Sequence, residues 1–207
     1  MANASGKTKR NWLAFDRSDY IVTNVLLAVA VVGSVLFDLV GPVVDAARNA
    51  PLAVSYTTKV SGGIPLPGGA THDGEVRMGL LLRDATPGER IVQAVPGVLG
   101  AAVVITVALL LFQLVRTTQA GDPFIRPNVR RLNTIALVVG LGGTISQFAQ
   151  GVADNAPYTS GRVPQTREMI FTMTFTPLPL VVMMVIFVIS ETFRRGIALR
   201  EDVEGLV

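Results

Sequence analysis

Few side chains in this sequence could do chemistry, and their positions limit what that chemistry is. Asp38 and Glu191 are carboxylates embedded in long apolar stretches. An ionisable residue in a membrane span is costly and marks a candidate ion or proton path, unless an interface or a neighbouring arginine satisfies it. Asp38 falls near the outer end of its stretch and Glu191 near the inner end of its own. They therefore cannot form one acid–base pair. Structural pairing is the favoured reading, with Arg130, Arg131 or Arg195 as partner for Glu191. Gln147 and Gln150 bond to neighbouring helices or lie near the outer water; the alternative is a polar cavity shared with Gln113. The chain has no cysteine and one histidine, His72. That removes disulfides, thiol chemistry and cysteine metal sites, and leaves little for a histidine-rich one. There is no GxSxG or HExxH motif and no paired intramembrane carboxylate, so neither an enzyme nor a cofactor is expected.

The elements that carry these residues are four apolar runs. Half of the 207 residues are hydrophobic and 16% are charged, against about 25% charged in a soluble domain. A helix crossing the hydrocarbon core needs about 20 apolar residues. The runs place spans at about 20–44, 90–116, 129–153 and 176–195. Outer loops then cover 45–89 and 154–175, and a tail covers 196–207. The whole chain, 1–207, reads as a single membrane domain in the lipid bilayer. The first run is too long for a signal-peptide core, and DAARNA after it is a poor cleavage site. The net charge of +3 does not point to nucleic acid, because the basic residues sit at the edges of the runs. Lys7, Lys9, Arg10, Arg17, Arg116, Arg126, Arg130, Arg131, Arg194, Arg195 and Arg200 crowd one side. The positive-inside rule therefore places both termini in the cytoplasm.

Both outer loops carry a period-two pattern. Glu75 to Leu82 sets Val76, Met78, Leu80 and Leu82 on one face, and Leu52 to Val60 is rich in β-branched residues. Arg167 to Thr176 alternates Met169, Phe171, Met173 and Phe175 with Ile170, Thr172, Thr174 and Thr176. These patterns predict strands. The expected fold is an all-α transmembrane four-helix bundle with a small extracellular antiparallel β cap built from both outer loops. The cap is a lid over the helix ends or a sensor of an outside ligand. Thr176 is expected to cap the fourth helix with Pro177 at its first position. Ala136, Gly140 and Thr144, and Gly97 and Ala101, recur at steps of four. They suit close helix packing and could serve a homo-oligomer.

The remaining chemistry lies in two inner segments. Gly121 to Leu132 reads GDPFIRPNVRRL. Gly121 can end the second helix, Asp122 and Pro123 open the connection, and Phe124 inserts at the membrane interface. Asn128 is placed to cap the third helix, and Arg126, Arg130 and Arg131 face headgroups or a partner. After the fourth span, Gly196 interrupts or hinges the helix. Leu199, Val203 and Leu206 then form an apolar stripe, while Arg200, Glu201, Asp202 and Glu204 supply charge. This tail is an interfacial segment or a docking helix for a cytoplasmic protein.

The two segments, GDPF…N..RL and F..G..LRED.EGLV, resemble those of bacterial four-span membrane proteins grouped as domain of unknown function 2975 (DUF2975). The resemblance covers both motifs and the four-span layout, so most of the chain. It implies four helices and no established chemistry, and it offers no catalytic residue to carry over. It also implies a setting beside small helix-turn-helix regulators, since such proteins are often encoded next to them. The reading is a regulatory or signalling membrane component whose inner segments bind a partner protein, with no direct nucleic-acid contact. The alternative is a small transporter or channel, motivated by Asp38, Glu191 and the glutamines; the small number of spans and the lack of a detectable inverted repeat weigh against it.

Overall fold

The computed structural model describes residues 17–65, 69, 71–120, 123–161 and 173–204. In chain order these form α1 (Arg17–Ser34), a π-helical segment (Val35–Val40), α2 (Gly41–Ala47), β1 (Leu52–Pro65) and β2 (Thr71–Leu82). There follow α3 (Pro87–Gln119), α4 (Arg126–Leu137), a second π-helical segment (Val138–Gly142), α5 (Gly143–Thr159) and α6 (Leu178–Glu204). The π-helical segments run directly into their neighbours, so the helices make four rods.

Local chemistry sets where the rods begin. Thr86-Pro87-Gly88-Glu89 closes a capping box: the Glu89 amide donates to Thr86 Oγ1 (3.3 Å) and the Thr86 amide donates to Glu89 Oε2 (2.7 Å). Two otherwise orphan donors are satisfied, and Pro87 has no donor to lose. At 1.5 Å per residue α3 is about 50 Å long, more than the hydrocarbon core requires. Ile125 is extended before α4, and Pro127 lies in the first turn. The Pro177 carbonyl accepts from the amides of Leu180 (3.0 Å) and Val181 (3.1 Å). Pro177 therefore takes the starting position expected of Thr176. The expected break at Gly196 is also corrected, because α6 runs through it to Glu204.

The rods pack in chain order. The first lies on α3, α3 lies on α4 and α5, and α4 with the following π-helical segment lies against α6. Among the described residues no extensive contact joins the first rod to the last. Small residues make the seams: Ala101, Ala108, Ala136 and Ala153 are buried. Met183 of α6 fills the space that a side chain at Gly140 would need. Without a hydrophobic driving force between helices in lipid, such close approach supplies the attraction. Large apolar side chains point outward instead, among them Leu26, Phe37, Leu109 and Val188. In water so broad an apolar surface would associate; in a bilayer it is the solvated face. Three rods, Ser18–Ala47, Pro87–Gln119 and Arg126–Pro157, are long and apolar enough to cross a membrane. The fourth is apolar up to Glu191 and then turns charged at Arg194 and Arg195.

The two strands pair antiparallel, with Leu52 opposite Leu82, Val54 opposite Leu80 and Tyr56 opposite Met78. The register shifts between Val60 and Ile64. Along β2 the expected alternation holds, with Arg77, Gly79 and Leu81 exposed and Val76, Met78, Leu80 and Leu82 part-buried. An isolated two-stranded hairpin is marginal in water. This one plants its base on the rods: Val54 is 4% exposed and lies with Leu52 and Leu82 over Gln93 and Pro157. Both strands of the described sheet come from the connection between the first rod and α3; the second expected contributor falls largely outside the described residues. Residues 173–176 are not in a strand, and 167–172 lie outside the described residues.

Candidate functional site

The two motif segments meet. Where α3 ends and α4 begins, Asn128 is fully buried. Its Nδ2 donates to the Pro123 carbonyl (2.9 Å). Its Oδ1 accepts from Thr117 Oγ1 (3.0 Å) and Arg131 Nη1 (2.7 Å). Arg131 Nε also donates to Gln113 Oε1 (3.2 Å). One amide thus ties the connection, the end of α3 and the first turns of α4. Asn128 lies inside α4 and not at its cap, which corrects the expected role; a buried amide whose polar atoms are all partnered is worth more to the fold than a surface cap.

The connection then leans on α6. The Phe124 and Phe193 rings are 5.3 Å apart between centroids and tilted by 41°. A Cβ at Gly196 would come within 2.8 Å of the Phe124 ring. Gly196 is therefore a seat for Phe124, which packs one side of its ring on α6 and remains 42% exposed. Ser190, also nearly fully buried, donates to the Val129 carbonyl (3.3 Å). Arg126 reaches the tail through an ion pair with Glu201 (3.0 Å), both side chains being largely exposed. Such a pair contributes at most about 1 kcal/mol.

Glu191 accepts from Arg194 Nε (2.6 Å) and Arg195 Nε (2.9 Å). Arg195 was an expected partner, but Arg130 and Arg131 are not used, since Arg131 is engaged by Asn128 and Gln113. Leu199, Arg200, Glu201 and Asp202 are exposed on α6, and Glu204 ends that helix. Gly121 and Asp122 lie outside the described residues. Phe193 and Arg194 belong to this surface, and Ser190 is buried beneath it, yet none of the three was singled out as a site residue. Phe193 stands in the F..G motif; Ser190 carried no signal.

The other polar residues do not join this site. Asp38 sits in the first π-helical segment, where Ser34 Oγ donates to it (2.8 Å) and Gly97 of α3 comes close. Gln147 holds the chain before α6, donating to the Thr176 carbonyl (3.2 Å) and accepting from the Thr176 amide (2.7 Å). Gln150 donates to Asp154 on its own helix (2.8 Å). Asp154 also pairs with Arg77 of the hairpin (3.2 Å). Gln113 is at the opposite end of the rods with Arg131, so no cavity gathers the three glutamines.

The fold and this surface define a mostly helical protein of membrane character, with its two sequence motifs joined at one end. Residues 81–207 match the family described as "Protein of unknown function (DUF2975)", and the chain belongs to that family. The match begins at the end of β2 and includes both motifs. No curated protein and no solved structure matches the chain.

Proposed function

We propose that this is a four-span protein of the bacterial cell membrane, with both termini in the cytoplasm and the hairpin outside. In this reading it is a non-enzymatic regulatory or signalling component. The α3–α4 connection and the end of α6 present one composite surface to a cytoplasmic partner protein. The observation that carries the reading is the seating of Phe124 on Gly196 and Phe193. It couples the two motifs mechanically, so a partner on one is felt by the other.

The chemistry of the surface supports a protein partner. Leu199 is 67% exposed and Val203 62%. They lie four apart on one helix face, bordered by the acidic Asp202, with Glu201 on the other side of the helix against Arg126. An apolar stripe flanked by charge is the pattern of a helix that docks in a groove. The family setting makes a small helix-turn-helix regulator the partner to try first. Co-expression of the full chain with a small helix-turn-helix regulator of the kind encoded beside such proteins should give a complex that survives purification. Leu199→Glu with Val203→Glu should abolish the complex while leaving the amount of membrane-inserted protein unchanged. Recovery of the regulator at wild-type level with the double variant would sink the proposal.

A further inference from the structure

Between the first turn of α4 and the end of α6 lies a cleft of about 360 Å³. Arg126, Arg130 and Arg194 line it with Glu201, and Val129 and Ile197 contribute apolar wall. Three guanidinium groups face one carboxylate. Arg126 is paired with Glu201 and Arg194 with Glu191. Arg130 has no ion-pair partner among the described residues. The cleft is therefore a net cationic space, and the first turn of α4 adds the positive end of its dipole.

A second observation indicates what fills it. Arg130 stands at the end of one exposed stripe along the third rod, followed by Thr134, Leu137, Leu141, Ile145 and Phe148 at steps of three and four. A cation at the foot of an apolar, outward-facing stripe matches a phospholipid, headgroup on the arginines and chains on the stripe. A soluble phosphate would have no use for the stripe. Basic pockets between helices on the cytoplasmic side are a known form of headgroup recognition. We propose that this cleft binds the headgroup of an anionic phospholipid. The proposal rests on this end of the rods lying at the membrane surface, and it stands or falls independently of a protein partner.

The test uses the full-length protein, delipidated in neutral detergent. Its thermal unfolding midpoint is titrated with phosphatidylglycerol, phosphatidylcholine or glycerol phosphate. Phosphatidylglycerol should raise the midpoint, and the other two should not. Arg130→Ala should weaken the apparent affinity roughly fivefold, Arg130→Lys should keep most of it, and Arg83→Ala, far from the cleft, should leave it unchanged. If Arg130→Ala fails to fold, Arg126→Ala and a salt titration of the wild type take its place, and each should weaken the response. Equal stabilisation by phosphatidylcholine or by glycerol phosphate overturns the proposal. So does an unchanged affinity in Arg130→Ala, or, where that variant does not fold, in Arg126→Ala.

Discussion

Gly196 and Asn128 show how much a single position can carry here. Gly196 has a helical conformation, so its value lies in the missing side chain beneath Phe124. Gly196→Val should force the ring to move and destabilise the protein by about 1–3 kcal/mol. Denaturation in detergent would measure it. Combining Gly196→Val with Phe124→Ala should cost less than the sum of the two changes, because the clash is removed with the ring; strict additivity would show that the two residues do not interact. Asn128→Ala removes the amide donor to the Pro123 carbonyl and the acceptor of Arg131 Nη1, while Thr117 Oγ1 keeps the Leu114 carbonyl (2.8 Å). It should cost about 1–3 kcal/mol, whereas Asn133→Ala on the exposed side of α4 should stay within about 0.5 kcal/mol. The letters of both motifs were legible in the sequence, but their roles were not. Asn before a helix reads as a cap and Gly after a span reads as a hinge, until a neighbour from another rod is in place.

At the scale of elements, the hairpin and the π-helical segments make opposite points. The alternation in Glu75 to Leu82 is a local consequence of a half-buried strand, and it held from Val76 to Leu82. Its energetic meaning can be checked by paired substitutions. Val54→Ala at the buried base should lower stability by roughly 1–3 kcal/mol. Leu81→Ala on the exposed face should change it by less than about 0.5 kcal/mol. Equal effects would show that the hairpin does not sit on the rods. The π-helical segments at Val35–Val40 and Val138–Gly142 left no readable trace. A π bulge is one inserted residue in a helical period, and spans with so few polar residues carry too sparse a periodic marker to reveal the slip. Both bulges lie at close seams, with Gly97 by Asp38 and with Met183 by Gly140.

For the whole molecule, the central question is which end faces the cytoplasm. The absence of cysteine gives a clean background for labelling. Gly79→Cys in the hairpin should react with a membrane-impermeant maleimide in intact cells. Asp202→Cys in α6 should react only after the membrane is opened. The reverse pattern would invert the proposed topology, and labelling of both sites in intact cells would refute four spans. Packing in an open row, first rod to last, leaves the outer faces of the first and fourth rods for lipid or another copy.

The sequence by itself determined the membrane character, the positions of the apolar runs, the strand pattern of the first outer loop and the family. The first three are written in composition or short-range periodicity and the family in two short motifs, none of which needs a partner to be read. Tertiary structure decided that β1 and β2 pair with each other in one hairpin, that α6 is unbroken at Gly196, and that Asn128 is a buried knot. It also joined GDPF to F..G through Phe124, across about seventy residues of chain. The physical reason is the same in each case. A close approach between rods depends on which residue is absent or partnered on the other side, and that information lies in no single stretch of the chain.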